Sequence, residues 1–160
     1  MDHVGGIILA GGQARRMGGG DKCLKTLGGR TLLSRIIERV RPQISHLILS
    51  ANGDPERFKE FGLPTLPDAI GDSAGPLAGI LTGMEWMRKY HKEVEWLASF
   101  PGDAPFVPLD FVNTILSEIS EGAEIVCAKS GGRAHPVCAL WRVNLSKELR
   151  FAMMNRHVRK

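Results

Sequence analysis

The chain has 160 residues with a formal net charge of +4, and 43% of its residues are hydrophobic and 24% are charged. This length and composition are typical of one globular domain and exclude an intrinsically disordered chain. The excess of positive charge is small and its basic clusters contain no interleaved aromatic residues, so it favours a phosphorylated small molecule over nucleic acid as the ligand.

The first part of the chain alternates apolar runs with amphipathic stretches. The apolar runs predict strands over residues 4–9 and 46–51, and a short strand over residues 64–66. Apolar side chains at helical spacing predict a helix over residues 31–40, and a shorter helix is predicted over residues 55–61.

The second part continues the same alternation of helices and strands. Its predicted elements are, in chain order, a helix over 75–90, a strand over 96–100, a helix from 108, strands over 124–128 and 137–141, and a helix over 144–154. The start of the fourth predicted helix is placed at Pro108 because proline favours the first position of a helix. The stretch KSGGRAHP, at residues 129–136, is predicted to be a turn between the two late strands.

Strands that alternate with helices predict an α/β fold, a three-layer α/β/α sandwich around a mostly parallel, Rossmann-like sheet. The two late strands are close in sequence and are expected to add an antiparallel element. Residues 1–160 are expected to form a single domain.

The sequence has no run of 18 apolar residues and no apolar leader after a basic start, so neither a membrane span nor a signal peptide is expected. Three cysteines without CxxC spacing favour reduced thiols in a cytoplasmic protein over a disulfide framework or a zinc site.

The loop LAGGQARRMGGGDK, at residues 9–22, follows the first predicted strand. Ligands of such folds bind beyond the carboxyl ends of the strands. The glycines let backbone N–H groups approach a phosphate closely, and Arg15, Arg16 and Lys22 supply positive charge. Asp21 is expected to order the loop or to pair with Arg16. The loop has neither the Walker spacing GxxxxGK[ST] nor the dinucleotide spacing GxGxxG, so it predicts a nucleoside triphosphate site of another type.

LAGG followed by RMGGGDK resembles the molybdenum cofactor guanylyltransferases, a branch of the nucleotidyltransferase superfamily that acts on sugars and pterins. By this resemblance, the GTP-binding residues of the loop are Leu9, Ala10, Gly11, Gly12, Arg16 and Lys22. The backbone of the first three would contact the guanine base and the ribose. Arg16 and Lys22 would bind the phosphates.

Later motifs extend the resemblance along the chain. SAN places Asn52, and an aspartate before GPLAGI places Asp68, both at positions that contact GTP in the family. FPGDAPF places Asp103 as the magnesium ligand, and RAHP places His135 on the pterin side of the site. From the residues alone, other roles stay open. Asn52 could bind loop backbone instead, Asp103 could cap the following turn, and Asp68 and His135 could be turn residues.

The resemblance implies transfer of GMP from GTP to the phosphate of molybdopterin, with release of pyrophosphate. Arg16, Lys22 and Asp103 would be catalytic, Mg²⁺ would be the cofactor, and contacts with molybdoenzyme maturation proteins would be transient. The family usually continues into an NxNTPEDL segment, so this chain is expected to lack that C-terminal part. The alternatives are a molybdopterin cytidylyltransferase, another NTP transferase and a non-catalytic nucleotide-binding domain. Gly11 favours guanine, because the cytidylyl branches carry alanine there.

Overall fold

A computed structural model describes residues 3–11, 20–71 and 75–155. Its strands are β1 Val4–Leu9, β2 Thr26–Leu27, β3 Arg30–Thr31, β4 His46–Ser50, β5 Thr65–Leu66, β6 Trp96–Pro101, β7 Ile125–Ser130 and β8 Arg133–Arg142. Its α-helices are α1 Leu32–Val40, α2 Pro76–Tyr90, α3 Phe111–Ser117 and α4 Ser146–Asn155. Short 3₁₀ helices cover Lys22–Leu24, Arg41–Gln43, Pro55–Phe61 and Val143–Leu145.

The main sheet has the strand order β5-β4-β1-β6-β8-β7. The first four of these strands are parallel to one another, whereas β8 is antiparallel to both β6 and β7. This confirms the predicted mostly parallel sheet and its late antiparallel element. The register pairs Leu9 with Ser50 on one side and with Pro101 on the other, so the carboxyl ends of β4, β1 and β6 lie side by side.

Apolar side chains fill both faces of the sheet. Ile8 packs with buried residues of α1 and α3, including Leu33 and Val112. Its neighbour Ile7 points to the other face and packs with α2 through Ile80 and Met84. Successive side chains of a strand alternate between faces, so β1 is buried on both sides and the three-layer α/β/α sandwich is confirmed.

The helix predicted to start at Pro108 begins later, at Phe111. The buried side chain of Gln43 explains the difference. Its Nε2 donates to the carbonyl of Pro108 at 2.9 Å, and its Oε1 accepts from the N–H of Val112 at 2.9 Å. The start of α3 is therefore fixed by a residue 65 positions or more away in sequence, and the residues after Pro108 form a turn.

The turn predicted over residues 129–136 is also wrong in extent. Only Gly131 and Gly132, with φ of 54° and 77°, connect β7 to β8. Two successive residues with positive φ match the tight hairpin turns that glycine favours. Strand β8 therefore starts at Arg133, and His135 lies in a strand rather than in a turn. A register irregularity between Cys127 and Ala128 lies opposite this part of β8.

The remaining predicted elements are confirmed to within about two residues at each end. The hairpin formed by β2 and β3 had no predicted counterpart, because each strand has only two residues. Among residues 3–11, 20–71 and 75–155, no helix combines the length and apolarity that crossing a membrane requires.

Candidate nucleotide site

A cleft of about 320 Å³ opens at the carboxyl ends of the parallel strands. Its walls come from the end of β1, from the residues after β4 and β6, and from the first turn of α2. The sequence-predicted residues that line it are Leu9, Ala10, Gly11, Lys22, Asn52, Asp68 and Asp103. Gly12 and Arg16 lie outside the described residues. The fold thus brings together predicted residues that are spread over nearly a hundred positions of the sequence.

Asp68 is the centre of a hydrogen-bond network on one wall of the cleft. Its Oδ1 accepts from the hydroxyl of Ser50 at 2.8 Å, and its Oδ2 accepts from the amide of Asn52 at 3.0 Å. The backbone N–H of Asp68 in turn donates to Asn52 Oδ1 at 2.9 Å. Asn52 therefore holds the loop that carries Asp68, which is the structural role that the sequence left open for it. The geometry leaves a carboxylate fixed in the wall of the cleft.

Asp103 lies on the opposite wall and forms an ion pair with Lys22. Both side chains are accessible, at 42% for Lys22 and 40% for Asp103. Gly102 brings Asp103 to this place, because its N–H donates to the carbonyl of Leu9 at 2.9 Å. A Cβ at Gly102 would lie 2.7 Å from that same carbonyl oxygen. The close contact between β1 and the residues after β6 therefore depends on glycine at this position.

Asp21, at the end of the glycine-rich loop, forms an ion pair with Arg57. The Nε atom of Arg57 lies 2.6 Å from Asp21 Oδ2, and its Nη2 lies 3.3 Å from Oδ1. Arg57 also donates to the carbonyl of Asn52 at 2.5 Å. The observed partner of Asp21 is Arg57, whereas the predicted partner Arg16 lies outside the described residues. No sequence pattern indicates this role for Arg57, because it lies 36 positions away from Asp21.

The first turn of α2 forms part of the cleft through Pro76 and Gly79. A helix N-terminus carries partial positive charge and favours anions. Gly75, just before the helix, has a φ of 70°, which L side chains rarely adopt. Gly79 lets the helix pack directly on the strands, since a Cβ there would lie 2.6 Å from Leu9 Cδ2.

A second, larger cavity of about 1140 Å³ adjoins the cleft, and Asp103 lines both. Its wall is mostly apolar, with Phe100 and Phe111 among its residues. His135 lies in this second cavity and not in the cleft, and its ring is 2.7 Å from the hydroxyl of Ser130. The structure therefore places His135 on the far side of Asp103 from the predicted nucleotide residues.

Two thiols beside these cavities are held in the protonated form. Burial, with a smaller contribution from the charge of Asp21, raises the pKa of Cys23 to about 11. Burial also raises the pKa of Cys138. A thiol is a poor nucleophile until it is ionised, so neither cysteine has the chemistry of a catalytic nucleophile at neutral pH.

The family model for the MobA-like NTP transferase domain matches residues 6–160. The chain belongs to the MobA-like NTP transferase family. Two curated relatives, both named molybdenum cofactor guanylyltransferase, support this assignment. The protein from Rhodopseudomonas palustris strain BisB5 is 46% identical over 96% of this chain and 74% of its own length. The protein from Nitrobacter hamburgensis is 47% identical over 97% of this chain and 75% of its own length.

Solved structures share the fold of this MobA-like transferase. Molybdopterin-guanine dinucleotide biosynthesis protein A from Archaeoglobus fulgidus superposes with a TM-score of 0.73 at 20% identity, over 97% of this chain and 75% of that one. Rv0371C from Mycobacterium tuberculosis, solved in complex with manganese, superposes with a TM-score of 0.67 at 19% identity, over 92% of this chain and 74% of that one. Both show the same α/β fold, which the family model describes as a MobA-like NTP transferase domain.

Proposed function

We propose that this chain transfers GMP from GTP to the terminal phosphate of molybdopterin and releases pyrophosphate, with the reaction in the cleft at the carboxyl ends of β1, β4 and β6. One observation carries the proposal. The motif residues from Leu9 to Asp103 line one cleft, in a family member whose relatives at 46–48% identity are named molybdenum cofactor guanylyltransferases.

The base and the ribose of GTP would lie against the end of β1. Leu9, Ala10 and Gly11 line the cleft there, and Gly12 follows them in the motif. A Cβ at Gly11 would meet nothing within 4 Å, so the space beside this glycine is open. Asp68, with Asn52 bonded to it, presents carboxylate oxygens that can accept hydrogen bonds from the nucleotide.

The phosphates would lie between the glycine-rich loop and α2. Lys22 provides a mobile positive charge, the start of α2 provides partial positive charge, and Arg16 is proposed as a further phosphate ligand. Lys22 would exchange its carboxylate partner, Asp103, for a phosphate oxygen. This exchange needs little free energy, because exposed ion pairs contribute only about 0–1 kcal/mol.

Asp103 fits a magnesium ion. Mg²⁺ is usually held by one or two carboxylates together with substrate phosphates and water, and the Asp103 carboxylate is exposed where the cleft meets the second cavity. When bound, Mg²⁺ supplies charge neutralisation at the phosphates. The manganese complex belongs to the structural neighbour Rv0371C, and for this chain we propose Mg²⁺ at Asp103.

The reaction requires positioning rather than a general base. A phosphate oxygen of molybdopterin attacks the α-phosphorus, the bond from that phosphorus to the bridging oxygen breaks, and the electron pair leaves with pyrophosphate. Two unit charges about 4 Å apart repel by about 4 kcal/mol at an effective dielectric constant of about 20. Lys22 and Arg16 would offset this repulsion and stabilise the leaving group.

The second cavity is proposed as the binding site of the pterin. Its apolar walls suit a flat ring system, and His135 offers a ring nitrogen at its edge. Because Asp103 lines both cavities, the two substrates would meet beside this residue. A cytoplasmic location and brief contacts with molybdoenzyme maturation proteins, which would receive the product, belong to the same proposal.

The test is a guanylyl-transfer assay with GTP, Mg²⁺ and molybdopterin, together with calorimetric titration of GTP and CTP. We expect turnover with GTP and its loss in Asp103→Asn. Glu60→Gln, which changes an exposed carboxylate outside both cavities, is the control and should retain the activity. Tighter binding of CTP would favour the cytidylyl alternative. Binding of GTP without turnover would favour a nucleotide-binding domain without catalysis.

A further inference from the structure

Two histidines and a glutamate meet at the edge of the sheet opposite the nucleotide cleft. His46 is the first residue of β4, His91 directly follows α2, and Glu93 lies in the connection to β6. Glu93 Oε1 is 3.2 Å from His46 Nε2 and 3.4 Å from His91 Nδ1. One ligating atom of each residue lies within 4.8 Å of those of the other two. Their spacing in the sequence indicates no site, because the fold alone brings them together.

These separations can be compared with those of a metal centre. Tetrahedral zinc has bonds of about 2.0–2.1 Å to histidine nitrogen and carboxylate oxygen, which places neighbouring ligand atoms about 3.3 Å apart. The distances from Glu93 Oε1 to the two ring nitrogens, 3.2 and 3.4 Å, match two edges of such a tetrahedron. Two histidines and one glutamate are also a ligand set that zinc uses in proteins.

The surrounding residues hold the backbone of His91 and Glu93 and the two imidazole rings in place. The N–H of His91 donates to the carbonyl of Met87 at 2.7 Å, and the ring of His3 is 3.0 Å from the carbonyl of Glu93. The centre of the His91 ring lies 3.5 Å from the centre of the His46 ring and 4.7 Å from that of the Trp86 ring. The C-terminal end of α2, where His91 is located, carries partial negative charge and favours a cation.

We propose that His46, His91 and Glu93 bind a divalent transition-metal ion of the zinc class, with water at the fourth position. The three side chains are 34%, 23% and 51% exposed, so a metal ion can reach them from solvent. The bound ion would connect the end of α2 to the start of β4 and stabilise the folded chain.

This site is separate from the nucleotide cleft. Ser50, the nearest residue of β4 that lines the cleft, is four positions beyond His46, which is roughly 13 Å along a strand. The two sites also differ in chemistry, because Mg²⁺ prefers oxygen ligands whereas imidazole nitrogen favours zinc, copper and nickel. An excess of Mg²⁺ should therefore not compete with Zn²⁺ for His46, His91 and Glu93.

The experiment measures Zn²⁺ binding to the full chain by competition with a chromogenic chelator, in excess Mg²⁺ and at neutral pH. All proteins carry Cys127→Ser, which removes the exposed thiol as a competing ligand. We expect one Zn²⁺ per chain, and affinity at least tenfold lower in His46→Gln and in Glu93→Gln. His3→Gln removes a neighbouring imidazole outside the proposed ligand set but keeps a side-chain donor for the carbonyl of Glu93, so it should keep the affinity. Co²⁺ should give the strong visible absorption of a tetrahedral site.

Thermal unfolding with and without Zn²⁺ provides a second measurement and a check on folding. Zn²⁺ should raise the Tm of the parent more than that of His46→Gln, while the two metal-free proteins unfold at similar temperatures. Equal Zn²⁺ affinity in the parent and in both ligand variants would overturn the proposal, and so would the absence of stoichiometric binding. Guanylyl transfer should be unchanged in His46→Gln, so this test is independent of the proposed function.

Discussion

Gly79 offers a test of how the packing of α2 controls the nucleotide cleft. In Gly79→Ala the new Cβ would lie 2.6 Å from Leu9 Cδ2 and 2.9 Å from Ser50 Oγ. The leucine methyl group can move, but the Ser50 hydroxyl is bonded to Asp68 at 2.8 Å. We therefore expect the methyl group to displace Ser50 and to release one oxygen of the Asp68 carboxylate.

Two opposing contributions set the change in stability of Gly79→Ala, and a third sets its change in GTP affinity. Overpacking a core costs about 1–3 kcal/mol, while replacing glycine by alanine inside a helix gains about 0.5–1 kcal/mol. The net loss in the free energy of unfolding should be about 0–2.5 kcal/mol. A hydrogen bond to a charged group contributes about 1.5–3 kcal/mol. If Asp68 must be fixed to bind GTP, affinity should fall at least about tenfold, since about 1.4 kcal/mol corresponds to tenfold.

Gly83→Ala is the matched control, because Gly83 is also buried in α2, one turn further along. Its new Cβ would lie 2.7 Å from Leu97 Cδ2 and 3.0 Å from Ile7 Cδ1, and neither residue lines the cleft. Urea unfolding should show a similar change in stability for both variants, whereas calorimetry should show weaker GTP binding only for Gly79→Ala. Equal GTP affinity in the two variants would refute the argued link from α2 through Ser50 to Asp68.

Four further predictions concern other residues of the fold. Arg57→Lys should raise the Kd for GTP several-fold, because lysine cannot form the two-pronged contact that Arg57 makes with Asp21 at the end of the glycine-rich loop. Calorimetry would measure this change in Kd. Alkylation at neutral pH, followed by mass spectrometry, should modify exposed Cys127 well before buried Cys23. Because the pKa of Cys23 is about 11 in the folded chain, stability should fall as pH rises from about 9 to 11, where the unfolded chain loses that proton first. Gln43→Ala should cost about 2–3 kcal/mol in urea unfolding, because the buried N–H of Val112 loses its partner.

The sequence predicted well wherever local pattern decides structure. The apolar run over residues 4–9 predicts β1 with the same limits, because a strand buried on both faces needs apolar side chains throughout. The motif residues of the cleft were also predicted together, since the carboxyl ends of parallel strands meet at one edge of the sheet. Their contacts with GTP and Mg²⁺ stay predictions.

Where prediction from the sequence failed, the contact that decides the structure joins residues far apart in the chain. The start of α3 depends on Gln43, and the end of the glycine-rich loop depends on Arg57. Neither residue carries a local signal for these roles. The cluster of His46, His91 and Glu93 was missed for the same reason, because its members are brought together by the fold across 47 positions of sequence.

The charged groups in the cleft and next to it differ in how firmly they are held, and this difference bears on how a nucleotide would bind. Asp21 is 19% exposed and meets Arg57 through two nitrogen atoms, so this contact fixes the Asp21 side chain. Asp68 is fixed by hydrogen bonds to both of its oxygens. The pair of Lys22 and Asp103 is about twice as exposed as Asp21, and lysine provides only a point charge. Among the described residues, this is therefore the pair in the cleft that can separate at least cost, and its separation would free a cation for phosphate and a carboxylate for metal at the same place.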